Sequence, residues 1–329
     1  MLATPAAAAA AKAAVEPALR APAVRLAAAQ QCHGDAARSR HPPVLLVHGT
    51  NVTRSESWSW GYVPALDRLG IPWCAIEIPS RASGDLQDNV EYVVAATRAL
   101  AARSGGRRIA IVGGSQGGML PRWMLRFWPS TRKLVGELVG IVPSNHGTTA
   151  NACPGACVPA LRQQLAHSRF ITRLNAGAET FAGIDYTTIS TRHDETVQPI
   201  TSGALTTGRG RIVNVITQDI CAQDPFSHVF TPTLSPVAYA LTADALTHDG
   251  PADSRRVGKA GCAQPLIPGM DYLGGVLAAA SAAQGAGKVP ATLTEPPLRC
   301  YADRRVCPRA GRATKSLLPA EPRRSRASG

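Results

Sequence analysis

A serine framed by glycines, Gly113-Gly114-Ser115-Gln116-Gly117, is the stretch of this chain best suited to nucleophilic chemistry. A hydroxyl is a weak nucleophile until a base removes its proton and a carboxylate fixes the tautomer of that base. A serine presented on a strand-to-helix turn finds those partners downstream, the acid before the histidine. Asp194, in the loop Thr191-Arg192-His193-Asp194-Glu195-Thr196-Val197-Gln198-Pro199, is the preferred acid, with Glu195 and Asp185 as rivals. His228 is the preferred base; His248 competes but lies beyond the following helical segment. Developing negative charge on a substrate oxygen needs hydrogen-bond donors, typically backbone N–H groups near the nucleophile. Gln116, next after the serine, and Thr50, at the end of the first apolar run, fit that task, and the Thr50 hydroxyl offers a third donor. His48 beside Gly49 reads as a turn residue without chemistry. The plain alternatives are a Gly-rich turn for the serine motif and a solvated loop residue for His228. A phosphate-cradling reading fails, because the glycines match neither Gly-x-Gly-x-x-Gly nor a P-loop.

The elements that would position these residues follow from periodicity. Arg108-Ile109-Ala110-Ile111-Val112 reads as a buried strand entering the serine turn, and Gly118 to Phe127 has helical spacing beyond it. Pro43 to Val47 and Trp73 to Ile78 are earlier strands, with a helix between them carrying Trp58, Trp60, Val63, Leu66 and Leu69. Asp85 to Arg103 is a crossover helix capped by Asp85. Leu138–Val142, Tyr186–Ser190 and Arg211–Thr217 are further strands, and Pro236–Leu246 and Met270–Gln284 further helices. Alternation of this kind predicts an α/β fold with a mostly parallel central sheet flanked by helices, the α/β-hydrolase arrangement.

The chain has 329 residues and a formal net charge of +13, of which +7 falls in residues 299–329. The reading is an Ala-rich, flexible extension over 1–31, a catalytic domain over 32–307 and a basic, disordered tail over 308–329. Aromatic interleaving is absent from the tail, so nucleic acid is not expected as a partner. The Ala-rich start is interrupted by Lys12, Glu16, Arg20 and Arg25, too often for a transmembrane segment. Cys32, Cys74, Cys153, Cys157, Cys221, Cys262, Cys300 and Cys307 form an even set with no CxxC pair, which favours disulfides and a secreted protein. A zinc site from His146, Cys153, Cys157 and His167 matches no spacing of a known module, and a local disulfide is the better reading. Neither metal nor cofactor is expected.

The chain resembles the Candida antarctica lipase B-like family of α/β-hydrolases from about Cys32 to Cys307. The resemblance is carried by Leu45-Leu46-Val47-His48-Gly49-Thr50, Asn89-Val90-Glu91-Tyr92-Val93-Val94, Ser115-Gln116-Gly117-Gly118, Phe127-Trp128-Pro129-Ser130 and Asp194-Glu195-Thr196-Val197-Gln198-Pro199. It implies a Ser115–His228–Asp194 triad, an oxyanion hole at Thr50 and Gln116, and disulfides Cys32–Cys74, Cys221–Cys262 and Cys300–Cys307. Cys153 and Cys157 are then left to pair within residues 148–160, where such enzymes carry a small lid. Relative to the family pattern, Gly114 stands for a tryptophan, Ser144 for an aspartate and Thr196 for a branched apolar residue. Those departures predict a roomier, more polar pocket open to bulky secondary-alcohol esters. Val142, Val158, Val197 and the helix from Leu273 to Ala283, with Leu277, are the expected acyl-chain walls. The implied protein is a monomeric, secreted serine lipase or carboxylesterase acting on ester or lipid substrates, at a lipid–water interface where these are aggregated. A polyester depolymerase or short-chain esterase with the same triad, and a non-catalytic binding module, are the alternatives.

Overall fold

The structure is a computed structural model that describes residues 16–150, 153–285 and 289–307. The Ala-rich start through residue 15 and the basic tail 308–329 lie outside the described residues, and the readings made of them stay expectations. Among the described residues, seven strands form one sheet in the order β1-β3-β2-β4-β5-β6-β7. These are β1 Gln30–His33, β2 Val44–Val47, β3 Trp73–Ile76, β4 Ile109–Gly114, β5 Val135–Ile141, β6 Asp185–Ser190 and β7 Arg211–Ile216. All neighbours are parallel except β1, which runs antiparallel along the edge of β3 and sets Cys32 opposite Cys74.

Every residue of β2, β3 and β4 is buried, as expected of central parallel strands covered on both faces. Successive side chains of a strand point to opposite faces, so each of these strands feeds two cores. Leu45, Val47, Ile109 and Ile111 join Val90, Val93, Met119 and Trp123 on one side. Val44, Leu46, Ala110 and Val112 join Trp58, Leu66, Val237 and Leu241 on the other. The first layer is built by the helices Leu86–Arg103 and Gln116–Phe127, the second by Tyr62–Arg68 and Pro236–Thr247. Asp85 caps the first of these helices by accepting from the Gln87 N–H at 2.9 Å, as its sequence position predicts.

Three features depart from the sequence reading. Strand β1 was not anticipated, because Gln30-Gln31-Cys32-His33 carries no apolar run and alternates between half-buried and exposed positions. The helix expected between Trp58 and Leu69 is two helices, Arg54–Trp58 and Tyr62–Arg68. Residues 16–31 are packed on the domain rather than flexible. The Glu91 carboxylate accepts from the N–H groups of Arg20 and Ala21 at 2.6 and 2.8 Å, and Trp128 Nε1 donates to the Pro17 carbonyl at 2.8 Å.

All eight cysteines are paired: Cys32–Cys74, Cys153–Cys157, Cys221–Cys262 and Cys300–Cys307. No helix among the described residues is long and apolar enough to cross a membrane.

Candidate active site

The candidate residues converge at the C-terminal ends of the strands, where open α/β sheets place their sites. Thr50 follows β2, Ser115 follows β4, Asp194 follows β6 and His228 follows β7. Asp185 and His248, the rival acid and base, lie at the opposite end of the sheet, where they line a separate cavity with Arg211 and Gly183. Strand direction therefore separates the rivals, which sequence order alone did not.

Ser115 sits at φ 52°, ψ −121°, a strained conformation for a residue with a side chain. The strain is held by close packing of strand against helix. A Cβ on Gly113 would run into the Gly117 carbonyl, and a Cβ on Gly117 would run into the Val47 carbonyl. His228 Nε2 lies 3.0 Å from Ser115 Oγ. Its Nδ1 lies 3.0 and 2.9 Å from the two Asp194 oxygens. An ionised carboxylate only accepts, so Nδ1 carries the imidazole proton and Nε2 is left as the acceptor facing the serine hydroxyl. Asp194 is held in turn by the Thr196 and Val197 N–H groups, which donate to Oδ1 at 2.9 and 2.7 Å. Asp194 and His228 are both buried, whereas Glu195 is exposed and accepts from the His228 backbone N–H at 3.2 Å. The loops that carry Asp194 and His228 are tied together by the Thr191 hydroxyl, which donates to the Phe226 carbonyl at 2.8 Å.

Across Ser115, the Thr50 and Gln116 N–H groups donate to no protein acceptor among the described residues. Thr50 is positioned by an unusual turn in which three consecutive non-glycine residues, Ser80, Arg81 and Ala82, have φ between 53° and 57°. That turn clamps the loop after Thr50. The Arg81 carbonyl accepts from the Asn51 N–H at 2.8 Å, Arg81 Nε donates to the Asn51 carbonyl at 2.9 Å, and the Ser83 hydroxyl donates to Asn51 Oδ1 at 2.6 Å. The Ala82 carbonyl accepts from the side-chain amides of Asn89 and Gln116, each at 2.9 Å. His48 is a buried core residue, not the turn residue its sequence suggests. Its Nδ1–H donates to the Gly49 carbonyl at 2.9 Å and its Nε2 accepts from the Ile78 N–H at 2.9 Å. Burial pushes its pKa down to about 4, so the ring is neutral and bridges two strand ends.

A cavity of about 370 Å³ opens beside Ser115 and His228. Its walls are mainly apolar, with Trp58, Val229, Phe230, Pro232, Met270 and Val276 among them. Glu56 is the one carboxylate in that wall among the described residues. Burial alone would raise its pKa, but hydrogen bonds from Ser281, the Thr53 N–H and Arg81 outweigh that and hold the group low. Val229, Phe230, Tyr272 and Val276 are each between 49% and 67% exposed, so the mouth is rimmed by apolar surface.

Of the residues expected to line a substrate pocket, Gly114 does so; Val142, Val158, Ser144, Thr196, Val197 and Leu277 are not in the cavity wall. Val142 and Val197 are buried, Ser144 bonds to Gln164, and Thr196 gives its N–H to Asp194. Val158 precedes the short Pro159–Gln163 helix as its cap residue. Leu273 and Leu277 lie on the exposed face of the Tyr272–Gln284 helix, whose other face supplies Gly275, Val276 and Ala279 to the cavity. The extra room expected at Gly114 is partly taken up: a Cβ there would lie 3.2 Å from Pro232 Cβ and 3.8 Å from the Trp58 ring. None of the described residues of 148–160 borders the cavity. The alternative zinc ligands are otherwise engaged or exposed: Cys153 and Cys157 bond each other, His146 bridges Glu179 and the Ser202 carbonyl, and His167 is exposed. Trp58, Phe230 and Pro232 were missed as pocket residues because an aromatic or apolar side chain reads as core until the cavity is seen.

No family model matches the chain. Lipase B of Pseudozyma antarctica is 35% identical over 193 residues, which is 57% of this chain and 56% of that protein. The match thus spans little more than half of that relative's length. The crystal structure of Aspergillus fumigatus lipase B superposes with a TM-score of 0.78 at 30% identity, covering 88% of this chain and 74% of that one. The chain belongs to the lipase B family. The lipase B fold accounts for the α/β-hydrolase topology, with the serine turn at the end of a central strand.

Proposed function

We infer that this protein is a secreted serine carboxylic-ester hydrolase of the lipase type, working through Ser115, His228 and Asp194. The observation that carries the reading is the continuous hydrogen-bonded series from Asp194 through His228 to Ser115 at the mouth of an apolar cavity. His228 Nε2 takes the Ser115 proton as Oγ attacks the ester carbonyl. The tetrahedral oxyanion rests on the free N–H groups of Thr50 and Gln116, where the loss of one such donor typically costs about 2.7–4 kcal/mol of barrier lowering. His228 then protonates the departing alcohol, leaving an acyl-serine, and water or a second alcohol repeats the sequence in reverse. Asp194 remains ionised and orients the ring. The apolar walls suit a hydrocarbon chain, and the exposed rim of Val229, Phe230, Tyr272 and Val276 suits contact with an aggregated lipid. Four disulfides fit an oxidising compartment.

The test is incubation with a fluorophosphonate ester followed by intact-mass analysis of wild type and Ser115→Ala. One adduct on wild type and none on the variant is expected. A folded wild type that takes up no adduct would overturn the reading in favour of a binding module. Activity across p-nitrophenyl esters of increasing acyl length then separates a lipase, which keeps its rate on long chains, from a short-chain esterase or polyester depolymerase.

A further inference from the structure

A second cavity, of about 560 Å³, lies at the N-terminal ends of β5, β6 and β7, at the opposite end of the sheet from Ser115. Strand register lays a row of charged groups along it. Glu137 on β5 pairs with Asp185 on β6, and Asp185 with Arg211 on β7, so the three side chains share one face of the sheet. Arg211 neutralises the acids next to it. Its Nε and one terminal nitrogen donate to the two Asp185 oxygens at 2.5 and 2.7 Å, and it reaches Asp249 at 3.3 Å. Two further arginines in the wall have no such partner. Arg108 donates to the carbonyls of Val135 and Gly183, which carry no formal charge, and Arg209 makes no side-chain hydrogen bond or ion pair among the described residues.

Glu137 is the buried acid of this wall, only 6% exposed. The Thr187 hydroxyl accepts from the Ala252 N–H at 3.0 Å, and Glu137 Oε1, at 3.2 Å, is its one acceptor among the described residues. The Thr187 proton therefore goes to Oε1. Oε2 has no protein partner among the described residues and is not sealed from water, so it opens on the cavity. Burial, reinforced by Asp185, outweighs Thr187 and Arg211 and pushes the pKa of Glu137 up to about 9. At neutral pH the group is thus a carboxylic acid with its own proton on Oε2. A buried acid kept neutral in this way is a hydrogen-bond donor to an oxyanion.

We propose that this cavity is a binding site for a small oxyanion, held by the guanidinium groups of Arg108 and Arg209 at the exposed rim and by the buried Glu137 carboxyl. Such an anion supplies the acceptors that these donors lack, with a planar guanidinium fork matched to two of its oxygens and the acid O–H to another. A cation finds no comparable seat, because both Asp185 oxygens are taken by Arg211 and Glu137 is uncharged. Dicarboxylates and tetrahedral oxyanions share the required pattern of charge and oxygen acceptors. Ester hydrolysis at Ser115 is not involved, since the two cavities lie at opposite ends of the strands.

Calorimetric titration of the full chain with succinate and with sulfate at low ionic strength tests this, both probes being dianions throughout the pH range used. A Kd of about 1 mM or tighter is expected for at least one of them, and the tighter of the two tells whether the site takes a carboxylate or a tetrahedral oxyanion. Arg209→Ala, at an exposed position, should weaken binding by roughly tenfold or more, the loss of a charged hydrogen bond. From pH 8 to pH 10 the protonated fraction of Glu137 falls about tenfold, and Kd should rise by up to that factor. His248, which also lines the cavity and lies 3.3 Å from Asp244, does not confuse the comparison, because both pH values lie above the range in which imidazole titrates. Glu137→Gln keeps an N–H donor on the cavity side and should bind equally at both pH values. No saturable binding of either probe, an Arg209→Ala protein with the wild-type Kd, a wild-type Kd unchanged from pH 8 to 10, or a pH dependence that survives in Glu137→Gln would each overturn the proposal.

Discussion

Replacing Asp194 by asparagine keeps the shape of the site and inverts one hydrogen bond. Oδ1 of Asp194 accepts from two backbone N–H groups, of Thr196 at 2.9 Å and Val197 at 2.7 Å. An asparagine must place its carbonyl oxygen there, since an NH2 group would oppose two fixed donors. Its nitrogen is then forced into the position of Oδ2, 2.9 Å from His228 Nδ1. Two N–H groups cannot face one another, so the neutral imidazole moves its proton to Nε2, 3.0 Å from Ser115 Oγ. The ring then donates to the serine instead of accepting from it, and no base remains. In other triads of this type the same inversion lowers kcat by about 10⁴, equivalent to roughly 5.4 kcal/mol of barrier. The assay is kcat and KM on a soluble ester, with a thermal melt as control, because both backbone bonds to Oδ1 survive. A fall of three to five powers of ten in kcat, with KM and melting point little changed, is expected. An Asp194→Asn enzyme within tenfold of wild type would refute the argument, since Oδ1 alone, 3.0 Å from Nδ1, would then suffice to hold the tautomer.

Three further outcomes follow from groups away from the nucleophile. His48 has a folded pKa of about 4 against 6.5 for the free side chain, so between those values the unfolded state binds more protons. Stability from this group is complete above about pH 6.5 and is lost as pH falls toward 4, by about 3 kcal/mol in all; urea titrations at pH 7 and 4.5 should show a smaller pH dependence in His48→Gln. Glu137 behaves in the opposite sense. Burial, with Asp185 nearby, pushes its pKa up to about 9, so the folded state holds the proton and stability from this group is lost as pH rises from about 4.5 to 9. Glu137→Gln should therefore be close to neutral at pH 5 and stabilising at pH 9, and equal midpoints of wild type and variant at pH 9 would count against a protonated Glu137. Finally, Cys32 and Cys74 close a loop with a sequence separation of 42 residues. Replacing both by serine should cost about 4 kcal/mol on the chain-entropy scale, read as a lower urea midpoint.

The local elements were legible because each carries its own signal. Apolar runs of four to six residues gave β2, β3 and β4, and Asp85 before an amphipathic stretch gave the start of a long helix. The glycines around Ser115 announced a turn in which strand and helix backbones nearly touch. Order along the chain points to Asp194 and His228 as acid and base, and the structure brings both to Ser115. Order could not exclude Asp185 and His248, which fall at the other end of the sheet only because parallel strands point their C-termini one way.

What tertiary structure alone decided is the environment of each group, since burial and hydrogen bonding are set by residues distant in sequence. His48 looks like a turn residue until Ile78, thirty positions away, gives its N–H to the ring. The cavity wall is illegible in sequence for the same reason. Val142, Ser144 and Val197 have suitable side chains but are buried outside the cavity wall, while Trp58 and Pro232 from separate elements fill part of the space that Gly114 leaves. Gln164 gives no sequence signal of its contact with the site, because the Thr50 hydroxyl that its amide reaches lies 114 residues away. The chain thus writes its strands, its turns and the types of its reactive groups in local sequence, whereas the direction of every proton in the site is fixed by contacts that exist only once the sheet has closed its strand ends together.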